Sequence, residues 1–343
     1  MSFEVKLSHE EKTPIYKQLV EQFEDAIRSG ELTAGEQIPS MNEFAAKYNI
    51  SKETVKKVYC ILRDKGLLIP CQGKGFFVDE QSDINKPRVL VLFDKLSIYK
   101  EVLYNSLVEE LGENADITIL MHNQNLELFT YYLDTCLDRY DYYVISPHFP
   151  LDEKSQALAA KLLARIPNRK LIMVDHWLKK VPGNYGAVYQ DFENDVYDGL
   201  AQGLDRLRNV SRLRVITLPS SLYGDIIAKG VVRFCKEYGV ECDFIESAPD
   251  YIAPNEAFLV LNSQLDSGLA ALARRIKEQN LNVGQDVFII SYNEFELYEI
   301  VLNGLTTIST DFKQMGRIAA QMILSRTSSK VHCDFSMTRR ATF

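Results

Sequence analysis

No run of about 18 or more apolar residues occurs in this sequence, so no membrane-spanning helix is expected. Its first residues, Met-Ser-Phe-Glu-Val-Lys, have no apolar core of the kind that directs export, so a cytoplasmic protein is expected. The six cysteines (Cys60, Cys71, Cys136, Cys235, Cys242, Cys333) are scattered and form no Cys-x-x-Cys pair. Zinc needs closer ligands, so reduced thiols and no metal are the reading. The sequence also lacks a Gly-x-Ser-x-Gly elbow and a His-Glu-x-x-His motif. Glu109 and Glu110 are helix neighbours that point apart, and His332 and Cys333 have no orienting partner in the pattern. A Gly73-Lys74 pair fails as a phosphate loop, because Leu68 stands where its first glycine belongs and Gly75 where Ser or Thr is required. No enzyme and no cofactor are therefore expected.

What is present is a soluble composition, 46% hydrophobic and 25% charged. At 343 residues, about two or three domains are expected. A net charge of −8 excludes a chain that coats nucleic acid, but the charge is unevenly spread. Residues 1–46 hold four Lys/Arg against nine Asp/Glu, whereas residues 47–78 hold seven against two. A local cationic face of this kind can bind phosphates within an acidic protein.

That face falls on a recognisable order of elements. Thr13 and Pro14 open a helix whose stripe is Ile15, Leu19, Phe23 and Ile27, and Gly30 ends it. Ser40 caps a second helix, with Glu43 completing a capping box. Asn49-Ile50-Ser51 is a turn, and Ser51 caps a third helix. On that helix Val55, Val58, Tyr59 and Leu62 face inward. Lys52, Glu53, Lys56 and Lys57 are left outward on its N-terminal half, the half that reaches base edges when such a helix docks in a major groove. A ribbon follows, Leu67 to Pro70 and Phe76 to Val78, with Gly73 and Gly75 allowing a tight tip that carries Lys74. Helix, turn, helix and ribbon make a winged helix-turn-helix.

Pro14-Ile15-Tyr16, Gln18, Ile27, Ser29-Gly30, Gly35, Pro39-Ser40, Ala45, Ser51, Thr54-Val55, Leu62, Gly66 and Gly73-Lys74-Gly75 resemble the GntR family of bacterial repressors. The resemblance covers about the first 78 residues and implies a homodimer on double-stranded operator DNA. The family's DNA-contacting arginines fall, by position, on Asn42, Lys52 and Lys56. Lysine offers a point charge where arginine offers a fork to guanine, so a different operator preference is implied. The expected DNA contacts are Ser40, Asn42, Ser51, Lys52, Glu53, Thr54, Lys56, Lys57, Gly73 and Lys74.

Residues 79–87 are polar and aperiodic and read as a linker. From Arg88 strands alternate with helices. Candidate strands are Val89–Phe93, Ile117–Met121, Tyr142–Ser146, Leu171–Val174, Arg214–Leu218, Cys242–Ile245, Ala257–Leu261 and Val287–Ser291. Candidate helices include Glu101–Leu111, Glu127–Leu137 and Ser155–Ile166. Such alternation implies doubly wound parallel sheets, and its length suggests two lobes with a ligand cleft beyond the strand ends. The residues after the strands are Asp94-Lys95, Ser146-Pro147-His148, Asp175-His176-Trp177, Asn262-Ser263 and Tyr292-Asn293-Glu294. Polar groups beside aromatics suit a sugar, whose hydroxyls pair with Asp and Asn and whose C–H face lies on a ring.

Val287-Phe-Ile-Ile-Ser-Tyr-Asn-Glu294, Leu305-Thr-Thr-Ile-Ser-Thr-Asp-Phe312 and Met315-Gly-Arg-Ile-Ala-Ala320 resemble the sensor domain of LacI-type regulators, related to periplasmic sugar-binding proteins. Val188-Tyr-Gln-Asp191 and Phe258-Leu-Val-Leu-Asn-Ser263 fit its middle. Effector contacts carried over by position are Ser146, Asp175, Tyr189, Asn262, Asn293, Thr310 and Phe312. With Asp94, His148 and Trp177 these complete the expected effector set.

The expectation is thus an α/β chain: a winged helix-turn-helix over 1–78, a linker over 79–87 and a two-lobed periplasmic-binding-protein-like sensor over 88–343. Its expected function is a repressor of a carbohydrate-utilisation operon, controlled by a monosaccharide of arabinose or fucose type. The alternative is a cytoplasmic sugar-binding or sugar-metabolising protein whose N-terminal domain docks other proteins.

Overall fold

The computed structural model describes residues 3–8, 13–79, 86–217, 221–261 and 268–343. Most of the expected linker, residues 80–85, lies outside them. The chain divides into two compact units: residues 1–89 with 113–118 and 135–141, and the remainder.

The first unit opens with α1 (Ile15–Ser29), α2 (Met41–Tyr48) and α3 (Lys52–Asp64), then β1 (Leu68–Cys71) and β2 (Gly75–Val78). Leu19, Phe23 and Ile27 are buried along α1, which ends on left-handed Gly30. The expected Thr13 cap is corrected: Pro14 holds the N-cap position, with no side-chain cap. Proline's fixed φ pre-shapes the first turn, so no capping oxygen is needed there. Ser40 and Glu43 form the full capping box of α2. Asn49 turns in the left-handed region, φ 50°, and Ser51 accepts from the Thr54 amide to start α3. Val55, Val58, Tyr59 and Leu62 are buried beneath α3. An aromatic chain ties the unit together: Phe3 on Phe23 at 4.9 Å, Phe23 on Phe44 at 5.5 Å, and Tyr59 on Phe76 at 5.3 Å. The last pair joins α3 to the ribbon, so burial there fixes the ribbon on the helix. β1 and β2 are antiparallel, with Cys71 opposite Gly75. Gly73 and Gly75 take φ of 75° and 100° at the tip, where a side chain would be strained.

From Arg88 the first lobe is built from β3 (Arg88–Phe93), α4 (Ile98–Leu111), β4 (Asp116–Met121), α5 (Leu126–Cys136), β5 (Tyr142–Ile145), α6 (Glu153–Leu163), β6 (Leu171–Asp175) and β7 (Gly186–Tyr189). The second lobe follows with α7 (Phe192–Ala201), α8 (Leu204–Leu207), β8 (Arg212–Ile216), α9 (Gly224–Tyr238), β9 (Cys242–Ile245), β10 (Glu256–Val260), α10 (Gly268–Glu278), β11 (Val287–Tyr292) and β12 (Thr306–Thr310). The chain then returns through α11 (Phe312–Ser325) and β13 (Lys330–His332) and ends in β14 (Phe335–Thr338). The sheet orders are β13-β7-β6-β5-β3-β4 and β14-β12-β11-β10-β8-β9. β5, β6, β7 and β13 run parallel, as do β9, β8, β10, β11 and β12; β14 is antiparallel to β12. α11 packs on α4 so closely that a Cβ on Gly316 would sit 2.4 Å from the Leu103 carbonyl oxygen.

The expected strands exist with small shifts: β8 starts two residues before Arg214, and Leu218 lies outside the described residues. Four strands went unlisted in the sequence reading: β7, β12, β13 and β14. β7 opens on glycine, β12 alternates Thr and Ser with a single Ile, and the last two lie at sheet edges, so none shows an apolar run. In both lobes the strand order reverses beside the first strand, β3 or β8, and crevices form beyond the strand ends at such points.

Candidate functional site

Two constellations can bind a ligand. The first is the outward face of α3. Lys52 and Lys56, four residues apart, are exposed, as are Ser51 and Glu53. Thr54 is partly buried and shares a 2.8 Å hydrogen bond with Ser51. Ser40 and Asn42 are exposed at the start of α2, and Gly73 and Lys74 at the ribbon tip. The other cations here differ in kind. Lys57 is exposed along its length but its ammonium lies 3.5 Å from the centroid of the Tyr16 ring. Arg63 pairs with Asp64 at 2.8 Å, and Lys65 is buried against Glu24. Exposed Lys47 lies 5.1 Å from the Tyr48 ring centroid, and Lys52, Lys56 and Lys74 are turned to solvent as cations that a phosphate could meet.

The second constellation lies where the strands of the first lobe end. Asp94 follows β3, Ser146 and His148 follow β5, and Asp175 ends β6; all four are buried. The structure gathers them around a residue the sequence reading missed. Lys100, on α4, is 1% exposed. Its ammonium lies 2.7 Å from Asp94 and 2.9 Å from Asp175 and also donates to Ser146. Asp175 further accepts from His148 Nε2 at 2.7 Å and from the Gln190 amide. Burial alone would raise both carboxyls, but the Lys100 ammonium and His148 hold them below the ordinary carboxylate range. Burial likewise works against the charge of Lys100, and Asp175 and Asp94 reverse it, raising its pKa. Burial pushes His122 and His176 down to about 4, so both are neutral at pH 7.

The network reaches the second lobe at two points. His148 Nδ1 is 2.8 Å from the Tyr223 hydroxyl, and Thr310 donates to Gln190 at 3.0 Å. Tyr223 in turn stacks on Phe192 at 4.1 Å. A small pocket between the lobes is lined by Ser97, Ile98, Tyr99, Asn293, Glu294, Phe295 and Tyr298. Asn293 takes φ 71° after β11, as Asp175 does at the end of β6. Asn and Asp are the non-glycine side chains that best tolerate this region. The Asn293 Oδ1 and the Tyr292 hydroxyl are buried without a hydrogen-bond partner among the described residues. Phe312 is buried against Tyr99, ring centroids 5.0 Å apart.

Among the described residues Trp177 and Tyr189 make no hydrogen bond to the Lys100 cluster; Tyr189 is the register partner of Asp175 on the neighbouring strand. They pack together at 5.5 Å, with Lys330 above Trp177 at 5.4 Å and His332 beside Tyr189 at 5.6 Å. Asn262 and Ser263 lie outside the described residues. Sequence reasoning missed Lys100, Tyr99, Gln190 and Tyr223 as members of this cluster; Tyr292 it named among the residues that follow the strands. One signal was available: Lys100, Leu103, Leu107 and Leu111 share a helical face, so the lysine sits on an apolar stripe.

Residues 15–78 match the family of bacterial regulatory proteins described as gntR, and residues 208–334 match the periplasmic binding protein-like domain. An uncharacterised HTH-type transcriptional regulator of Bacillus subtilis (strain 168), YurK, is 40% identical over 117 residues, 34% of this chain and 44% of that one. The HTH-type transcriptional repressor NagR of the same organism is 34% identical over 76 residues, 22% of this chain and 31% of NagR. A third, the uncharacterised HTH-type regulator YhcF, also of that organism, is 31% identical over 101 residues, 29% of this chain and 78% of YhcF. The chain spans less than half the length of the first two relatives. Among solved structures, the trehalose repressor from Escherichia coli superposes with TM-score 0.59 at 15% identity, covering 74% of this chain and all of that one. A Lac repressor dimer bound to operator and the anti-inducer ONPF gives 0.58 at 17% identity, covering 75% and 94%. Identities this low establish the shared fold of the second unit and nothing further.

Proposed function

The chain belongs to the GntR family of bacterial regulatory proteins, and from that premise we propose that it is a dimeric transcriptional repressor of a carbohydrate-utilisation operon, released or engaged by a monosaccharide of arabinose or fucose type. The observation that carries this reading is the first half of α3. Lys52 and Lys56 stand exposed on one face while Val55, Val58, Tyr59 and Leu62 anchor the other in the core. A helix held this way presents its N-terminal half to a major groove, with Asn42, Ser51 and Lys74 beside it for backbone and edge contacts. The relatives named above are regulators and repressors, which favours regulation over catalysis. NagR's name as a repressor supports repression for this chain too.

The effector occupies the cleft between the two lobes of the second unit. Its walls offer Tyr99 and Phe295 as apolar faces and Asn293 as a polar anchor. The hydrogen bonds His148–Tyr223 and Gln190–Thr310 join the lobes. A ligand that favours one arrangement of the lobes over another by about 1–3 kcal/mol is enough to shift a regulator. The test is a mobility shift with DNA upstream of the protein's own gene, repeated with arabinose, fucose, xylose and galactose. A retarded band that one sugar strengthens or removes is expected. No retarded band on any upstream fragment would overturn the proposal.

A further inference from the structure

We propose that the β13 edge of the first lobe is a docking surface for an acidic polypeptide segment, held by a cluster of ammoniums fixed around Trp177. The ground is a charge imbalance that the fold concentrates. Residues 166–170, 176–185 and 326–333 together hold six Lys/Arg (Arg169, Lys170, Lys179, Lys180, Arg326, Lys330) and no Asp/Glu, in a chain whose net charge is −8. The fold brings these three segments to one place. β13 is the outermost strand of its sheet and pairs on one side with β7. The Ala187 amide donates to the Ser329 carbonyl at 2.8 Å, which ties the start of β13 to β7. Between β6 and β7 the chain forms a loop, closed by the Tyr185 hydroxyl donating to the Leu178 carbonyl at 3.1 Å. That loop is pressed on the turn that carries Arg169 and Lys170. At Gly183, φ 99°, an added Cβ would lie 1.7 Å from Asn168 Nδ2.

Trp177, the chain's single tryptophan, stands at the centre. The Lys330 ammonium lies 5.4 Å from its ring centroid and 4.6 Å from that of Tyr185, and the Lys179 ammonium lies 5.9 Å from the indole. An aromatic face positions an ammonium without neutralising it. Lys179, Lys180, Arg326 and Lys330 are exposed, and among the described residues no carboxylate pairs with them. The acids that flank the three segments are engaged elsewhere: Asp175 by Lys100, Asp191 as the cap of α7, and Asp334 by Gln314. A carboxylate-rich partner would complete these charges, and salt would weaken its attraction. A nucleic acid fits less well. The indole already packs with Tyr189 at 5.5 Å and Tyr185 at 6.4 Å as well as with two ammoniums, so it is a poor platform for stacking a base.

The single tryptophan supplies the readout, because its fluorescence reports this surface alone. The full chain is titrated with a short oligoglutamate, and in parallel with oligoglutamine and with oligothymidylate. Oligoglutamate should shift the emission saturably, and less so as salt rises, while oligoglutamine leaves it unchanged. The Lys179→Glu/Lys330→Glu protein should bind oligoglutamate about tenfold more weakly and keep its affinity for upstream DNA. Lys179→Gln/Lys180→Gln, which leaves Lys330 on both rings, should weaken binding in the same direction with an unchanged circular dichroism spectrum. No emission shift with oligoglutamate overturns the proposal, and so does equal affinity in wild type and both variants. Tighter binding of oligothymidylate than of oligoglutamate overturns it as well, in favour of a nucleic-acid surface. Each of these failures leaves the regulatory reading standing, since that reading rests on α3.

Discussion

Lysine plays opposite parts in the two units. On α3, Lys52 and Lys56 are exposed, and among the described residues no carboxylate pairs with them. In the sensor, Lys100 is 1% exposed and clamped between Asp94 and Asp175. A hydrated ammonium is free to seek phosphate, and its removal costs binding. A buried one is a counter-ion, and its removal costs the fold, because two desolvated carboxylates are left uncompensated. Neither role follows from residue type or local charge. It follows from which face of the helix the tertiary packing covers.

The comparison breaks most visibly at Lys100. Lys100→Met should lower the stability of the sensor by about 3–5 kcal/mol, as expected when one partner of a buried ion pair is lost. Calorimetry should show the sensor transition fall while that of the winged helix holds. No loss, or equal loss in both, would erase the distinction drawn here. Asp175→Ala should act in the same direction, because Asp175 anchors Lys100, His148 and Gln190 and does more than await a sugar hydroxyl.

Acid should separate the units next. Unfolded imidazoles protonate near 6.5, whereas His122 and His176 do so only near 4 in the fold. Their depressed values give stability that is present above pH 6.5 and is lost progressively as pH falls towards 4. The ceiling is about 3 kcal/mol for each. The winged helix lacks a described histidine, so a scan of both transitions from pH 7 to 4 should show the sensor weakening first. Smaller effects sharpen the other side. Ser51→Ala should cost α3 about 1 kcal/mol through its lost cap. Lys57→Ala should cost the winged helix about 0.5 kcal/mol through Tyr16 and change DNA affinity less than Lys56→Ala does.

How much the sequence revealed divides along the same line. α2 and α3 were legible because caps, turn and apolar stripe are local: Ser40, Glu43, Asn49 and Ser51 act within three or four residues of themselves. The strands of the sensor were legible where they are fully buried, as at β3 and β11. The cleft was legible only in outline. That Asp94, Ser146, His148 and Asp175 lie together was legible because strand ends at a switch point are predictable. Lys100 was not, since a lysine on a helix is ordinarily solvated, and its burial depends on strands far along the chain. Trp177 was singled out by its position after β6; its ring packs with Tyr189 and Tyr185, partners supplied by β7 and the turn before it, which the sequence hid. Gln190 and Tyr223 become visible only when the lobes are brought together.

The most direct test of the regulatory reading is a titration of upstream DNA with the wild-type chain and with the Lys52→Ala/Lys56→Ala double variant across a salt series. The two lysines are proposed as phosphate- or base-facing charges, so the double variant should bind more weakly, and its log affinity against log salt should flatten by about one unit per lysine removed. Equal affinities and equal slopes, with the sensor's thermal transition unchanged, would contradict the account.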